Sequence, residues 1–281
     1  MRLSVRDWAQ VCKRAFQSFL ADDAMGLSAQ VAFSSLLAFF PAMVFLVGLL
    51  DLIGAYGTLR EFLAPVAPGA VLETIDTLQQ ETSTGTSVVA FVVGAAGATW
   101  AASGAMTAVI KAVNRAYDRV ETRPFWKARL IAIVLVALTG LVLAGLVLLI
   151  VFGGPFGTAI AEKANLGGAF ELVWAMLRWP IAFVAILLFF SLVYYLAPNV
   201  EARSWKWISP GSLVGSISWL ALSGLFALYT SFSDSYSRTY GALASGIVLL
   251  LWLNYSAFAL LFGAELNSEL EQRAKRPESS P

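Results

Sequence analysis

Histidine is absent from this 281-residue chain, and cysteine occurs once, at Cys12. The missing histidines remove the commonest proton shuttle and the commonest ligand of transition metals. A single cysteine excludes an intrachain disulfide and argues against a thiolate metal site. We therefore expect no metal, no cofactor and no enzyme that depends on either.

Charged residues are scarce. They make up 13% of the chain, whereas hydrophobic residues make up 58%; soluble domains carry about 25% charged residues. Residues 128–152 contain no charge after Arg129. Because about 20 apolar residues cover the ~30 Å hydrocarbon core of a bilayer, this run predicts a membrane-spanning helix.

Six such runs predict an all-α polytopic membrane protein. The predicted spans are 27–50, 88–109, 128–152, 173–197, 210–231 and 243–265. Ser209 and Pro210 are typical of a helix start, and Pro41 should kink the first span. The length suits one transmembrane bundle domain over residues 1–275 and a disordered tail over 276–281, with no room for a catalytic domain.

The basic residues predict the orientation. Fifteen Lys and Arg residues fall before the first span, after the sixth and in the loops that follow the second and fourth spans, whereas four fall on the other side. Because basic loops remain in the cytoplasm, both termini are predicted to be cytoplasmic. The first sixteen residues are charged throughout and do not resemble a signal peptide.

Two segments outside the spans show helical periodicity. Residues 3–20 place Trp8, Phe16 and other apolar side chains on one face, which predicts an amphipathic helix in the cytoplasmic membrane interface. A solvated leader is the alternative. Residues 71–78 predict a short helix in the first outer loop, with a solvated acidic loop as the alternative.

The second span has a small face and a polar face. Small residues allow close helix packing in a bilayer, and we expect this role for two sets of residues in the second and fifth spans: Gly94, Gly97, Ala101 and Ala105, then Gly211 and Gly215. The polar face could line a hydrated cavity. Alternatively, its Ser and Thr hydroxyls could bond to carbonyls of their own helix. This polar face consists of Thr99, Ser103, Thr107 and Asn114.

The sixth span carries Asn254 near its middle and Glu265 eleven residues later, so both lie on one helical face. A buried amide without a partner costs about 1–3 kcal/mol, so Asn254 should face another helix or a cavity. Together with Gln30 and the polar face of the second span, these two residues complete a candidate polar pathway. The alternatives are an interhelical hydrogen bond at Asn254 and a structural ion pair at Glu265.

Three segments carry a resemblance to a known family: Tyr240–Gly246, Leu249–Tyr255 and Gly263–Asn267. They are similar to the signature of the YihY/virulence factor BrkB family, bacterial inner-membrane proteins once labelled ribonuclease BN. Ala29–Ser34 and the Pro198–Pro210 connection agree with the family pattern, and the resemblance covers roughly residues 10–272. It implies six spans, both termini in the cytoplasm and a bacterial inner-membrane location.

Three functional classes compete. A multi-pass transporter or exporter, acting as a secondary carrier or as a lipid or small-molecule facilitator, would use polar faces and a kinked helix of this kind. A non-catalytic envelope scaffold is the alternative. A ribonuclease is disfavoured, because metal-assisted hydrolysis needs clustered ligands. The expected partners are membrane lipids and an unknown substrate, with no nucleic acid; an oligomer of identical chains is left open.

Overall fold

The computed structural model describes residues 4–52, 76–77, 88–152, 154, 158, 163, 167–200, 208–231 and 242–275. Within these residues every regular element is a helix, and none is a strand. The described part of the chain contains seven α-helices of 17 residues or more: α1 Val5–Ala21, α2 Ala24–Leu52, α3 Val88–Ala116, α4 Phe125–Val147, α5 Gly167–Leu196, α6 Pro210–Ser231 and α7 Ala242–Lys275. A π-helical turn, Leu148–Phe152, continues α4.

Five of the helices are long and apolar enough to cross a membrane. These stretches are Ala24–Phe45, Phe125–Ile150, Leu172–Leu196, Pro210–Tyr229 and Gly246–Ala274. The chain is therefore a membrane protein with several apolar helices. Each predicted span overlaps one helix, but α3, which contains the predicted second span, is not among those five. The six-span topology stays a prediction.

The outside of the bundle is apolar, as a lipid environment requires. Phe40 of α2 and Leu141 of α4 are 62% and 70% exposed. Inside the bundle, Val113, Val193 and Leu261 belong to a core that α1 to α5 and α7 share, and Trp219 of α6 packs against it. The described part of the chain thus buries one apolar core and presents a second apolar surface outward.

The polar ends of the helices extend further than the hydropathy suggested. α3 continues from the predicted span end at 109 to Ala116, and α7 continues from 265 to Lys275. The C-terminal part of α7 contacts α1, whose Val11 and Ala15 pack on Leu266. Hydropathy marks where apolar sequence stops, and a helix can continue beyond that point in water.

Contacts stabilise helix α1 both at its N-terminus and along its side. Ser4 and Asp7 form a capping box. Hydrogen bonds from Ser4, followed by one from Arg273, lower the pKa of Asp7 to about 2. Arg14 pairs with Glu269 at 3.3 Å. The structure confirms a helix in this segment, and its location in the membrane interface stays a prediction.

Two other predictions fall largely on residues that the structure does not describe. Of the outer-loop helix 71–78, only Asp76 and Thr77 are described, and both are helical. The tail 276–281 lies outside the described residues.

Pro41 lies inside α2, and the kink there stays a prediction.

Candidate functional site

A cavity of about 250 Å³ lies between the helices and is partly open to the outside, and six helices contribute to its wall. Representative lining residues, from α2 to α7 in order, are Val31, Met106, Leu143, Phe189, Trp219 and Leu260. Because nearly all the lining is aliphatic or aromatic, the cavity suits apolar rather than ionic groups.

Four polar side chains of the wall, those of Thr139, Trp219, Trp252 and Ser256, have hydrogen-bond partners within the protein. Thr139 donates to the carbonyl of Leu135 at 2.7 Å. The indole N–H of Trp219 donates to the hydroxyl of Ser256 at 3.0 Å, which joins α6 to α7. The indole of Trp252 donates in turn to Ser223 at 3.2 Å. A molecule in the cavity would therefore meet mainly hydrocarbon.

Close packing of α6 on α7 shapes one side of this cavity. A Cβ added to Gly211 would clash with the carbonyl oxygen of Gly263, and one on Gly215 would lie 2.8 Å from the hydroxyl of Tyr194. That hydroxyl donates to the carbonyl of Leu260 at 2.7 Å. Glycine is required at position 211 because the backbones of α6 and α7 nearly touch there, and at position 215 because the side chains of Tyr194 and Phe190 on α5 pack against it.

Asn267 connects the same two helices at the start of α6. Its side-chain oxygen accepts from the backbone N–H of Gly211 at 2.9 Å, and its amide nitrogen donates to the hydroxyl of Ser209 at 3.0 Å. The first turn of α6 is thereby capped from α7. Asn267 and Gly263 belong to the Gly263–Asn267 segment noted above, but sequence reasoning gave neither a role.

A second polar network joins the α3–α4 loop to the end of α5. Asn114 donates to Glu121 at 2.9 Å and accepts from the backbone N–H of Asn199 at 2.7 Å. Arg123, whose side chain is 6% exposed, pairs with Glu121 and donates to the carbonyl of Ala197 at 2.8 Å. The hydrogen bond from Arg123 lowers the pKa of Glu121.

The polar face predicted on the second span is not assembled around the cavity. Ser103 is buried and donates to the carbonyl of Trp100 at 2.9 Å, and Thr107 donates to the carbonyl of Ser103 at 2.7 Å. These are the bonds to their own helix that the alternative interpretation described. Thr99 and Gln30 are exposed. The cavity wall includes none of these four residues.

Asn254 and Glu265 also lie away from the cavity wall. The side-chain oxygen of Asn254 is buried without a hydrogen-bond partner among the described residues. Glu265 is 2% exposed, and Asp22, Asp118, Glu269 and Arg115 act on it electrostatically. Whether either residue serves function or packing stays an open prediction.

The predicted packing face of α3 is uneven. Ala105 is buried and Ala101 is half-buried. A Cβ on Gly94 or Gly97, however, would have no heavy atom within 4 Å. Close packing at those two glycines stays a prediction.

Sequence reasoning also missed a contact between α3 and α4. The guanidinium carbon of Arg129 lies 4.0 Å from the centre of the Trp100 ring. Its Nη2 donates to the carbonyl of Trp100 at 2.8 Å. Arg129 was counted only as a topology signal, although a charged side chain within an apolar helix is itself an indication of function.

In the described part of the chain, an all-helical core, apolar outer helix surfaces and an apolar cavity lined by six helices define an α-helical membrane protein with several apolar helices. The chain belongs to a family described as virulence factor BrkB, whose family model matches residues 15–281. The resemblance seen in the sequence is thereby confirmed.

Several relatives are similar to this chain. The ribonuclease-like protein YfkH of Bacillus subtilis is 30% identical over 275 residues, which cover 96% of this chain and 98% of the relative. A UPF0761 membrane protein of Aggregatibacter aphrophilus is 23% identical over 95% of this chain and 94% of the relative. Another, from Idiomarina loihiensis, is 30% identical over 38% of this chain and 37% of the relative. No solved structure matches.

Proposed function

We propose that this protein is a transporter-like facilitator that moves an amphiphile with an apolar tail through the cytoplasmic membrane of a bacterium. The observation that supports the proposal is the 250 Å³ apolar cavity. A hydrocarbon tail can occupy this cavity in preference to water, because the wall is mostly apolar and four of its polar side chains bond within the protein. Six helices contribute to the wall, so small shifts between helices would change access to the cavity.

The polar residues that the sequence suggested as a pathway contribute less to this proposal than the apolar wall. The hydroxyls of Ser103 and Thr107 donate to carbonyl oxygens of their own helix, so they need no hydrogen bonds to water. A carrier for a hydrophilic ion would require groups that replace hydration. The cavity therefore favours an amphiphile over an inorganic ion.

The proposal is tested by reconstitution into vesicles that contain a fluorescent phospholipid in both leaflets. An impermeant reductant bleaches only the outer leaflet, so we expect bleaching to exceed the protein-free level when the protein is present. Bleaching equal to that of protein-free vesicles, with the protein shown to be inserted, would contradict the proposal and favour the scaffold.

We further propose that the protein has no intrinsic nuclease activity, although one relative is named ribonuclease-like. The chain has no histidine, and its described residues contain no group of three Cys, Asp or Glu side chains suited to a metal. The test is incubation of detergent-purified protein with RNA and Mg²⁺ or Mn²⁺. Cleavage that persists through repurification and disappears in Glu121→Gln would overturn this claim.

A further inference from the structure

Arg129 lies near the start of α4, where the apolar stretch of that helix also begins. Its side chain reaches across to α3. Arg129 lies about 6 Å along the helix axis from Phe125, at a rise of 1.5 Å per residue. Its guanidinium stacks on the Trp100 ring and donates one hydrogen bond to the Trp100 carbonyl. That bond uses one of the five N–H donors that a guanidinium carries.

The charge of Arg129 lacks an anionic partner in the described part of the chain. Four other arginines, Arg14, Arg115, Arg123 and Arg273, each pair with a carboxylate. Arg129 has no such pair among the described residues, and its Nε is buried without a hydrogen-bond partner. Arg129 as a whole is half-buried. A guanidinium stays charged at physiological pH, and a partly buried charge is costly unless an anion compensates it.

The surroundings of Arg129 indicate where the anion would come from. Trp100, Trp126 and Leu130 are 64%, 67% and 55% exposed. In a membrane protein, such side chains face lipid. Trp126 is at the start of α4, where Trp commonly adjoins the headgroup layer, whereas Trp100 lies in the middle of the predicted second span and is reached by the long side chain of Arg129. The unpaired donors of Arg129 therefore adjoin a surface that lipid covers, where the available anion is a phospholipid phosphate.

We propose that Arg129 and Trp100 form a headgroup site for an anionic phospholipid, whose phosphodiester accepts hydrogen bonds from the guanidinium. Planar guanidinium groups match phosphate geometry with paired N–H donors. The same two helices contribute Met106 and Leu143 to the wall of the apolar cavity. The site thus implies that the carried amphiphile has an anionic phosphate headgroup. This conclusion rests on the proposed function.

Binding is measured by native mass spectrometry of the full chain in a non-ionic detergent. The probes are phosphatidylglycerol, phosphatidylcholine with the same acyl chains, and inorganic phosphate. Arg129→Gln removes the charge, and Lys127→Gln removes an exposed charge two residues earlier as a matched control. We expect Arg129→Gln to lower the affinity for phosphatidylglycerol roughly tenfold, and Lys127→Gln to leave it unchanged.

Three outcomes would overturn the site. They are equal affinity of wild type and Arg129→Gln for phosphatidylglycerol, equal affinity of wild type for the two lipids, and displacement of phosphatidylglycerol by inorganic phosphate alone. The thermal midpoint without added lipid shows whether each variant is folded. If Arg129→Gln does not fold, Arg129→Lys carries the test: it keeps the charge but loses the paired donors, and binding must still weaken.

The experiments can overturn the headgroup site and the proposed function independently of each other. Selective binding that depends on Arg129, without lipid movement in vesicles, would overturn the proposed function and leave the site. Lipid movement at the same rate for both headgroups, unchanged in Arg129→Gln, would overturn the site and leave the function.

Discussion

Two glycines on facing helices show how single residues determine the spacing of this bundle. Gly211 of α6 and Gly263 of α7 bring the two backbones so close that any side chain would collide with a carbonyl oxygen of the opposite helix. Backbone atoms cannot rotate away as a flexible side chain can. Gly94 and Gly224 are also helical glycines, but they have open space around them.

This difference predicts that replacing glycine by alanine changes the stability in opposite directions at the crowded and the open positions. Gly211→Ala and Gly263→Ala should each lower the thermal midpoint in detergent, because overpacking costs about 1–3 kcal/mol. Gly94→Ala and Gly224→Ala should leave it unchanged or raise it, since Ala favours a helix over Gly by about 1 kcal/mol. Equal stability of Gly211→Ala and Gly224→Ala would show that α6 and α7 do not approach so closely.

At the scale of elements, the network of Asn114, Glu121, Arg123 and Asn199 connects the α3–α4 loop to the end of α5. Arg123 donates to the last carbonyls of α5, which an isolated helix leaves unpaired. Asn114 completes the connection from α3. The loop therefore fixes the relative position of three helices.

The lowered pKa of Glu121 predicts a pH dependence for this connection. A group with a lowered folded-state pKa stabilises the fold above its unfolded pKa, about 4.3 for glutamate, and that stabilisation is lost as the pH falls through the lowered value. The thermal midpoint of wild type should therefore fall on acidification below about pH 4.3 more than that of Glu121→Gln. Glu271→Gln, at an exposed position on α7, serves as the control. Identical pH profiles of wild type and Glu121→Gln would contradict this role.

The helices could be predicted from the sequence because a bilayer imposes long apolar runs, and α6 begins and ends at the predicted residues 210 and 231. The ends of α3 and α7 could not, since hydropathy does not mark where a polar helix stops. The cavity was equally unpredictable: its wall combines residues of six helices, and none of them stands out in its own segment. Gly263 and Asn267 acquire a role only when α6 lies beside α7.

At the scale of the whole molecule, both termini are predicted to lie on the cytoplasmic side. Val120 in the α3–α4 loop is 80% exposed, and Thr158 between α4 and α5 is exposed. In a Cys12→Ser background, a cysteine at Thr158 should react with an impermeant thiol reagent added to intact cells, and one at Val120 should react only after lysis. Labelling of Val120→Cys in intact cells would overturn the predicted orientation.

The central claim is that the apolar cavity between the six helices holds the tail of a carried amphiphile. Two neighbouring residues of α4 offer a matched pair for testing it: Val142 lines the cavity, whereas Leu141 is 70% exposed on the outer surface. Phenylalanine at position 142 would occupy space in the cavity, and phenylalanine at 141 would extend into lipid.

The decisive measurement is the rate of phospholipid movement in vesicles that contain equal amounts of wild type, Val142→Phe or Leu141→Phe. The claim predicts that Val142→Phe slows lipid movement severalfold while its thermal midpoint stays near that of wild type, and that Leu141→Phe moves lipid at the wild-type rate. Equal rates for the two variants would show that the cavity is not the path of the tail.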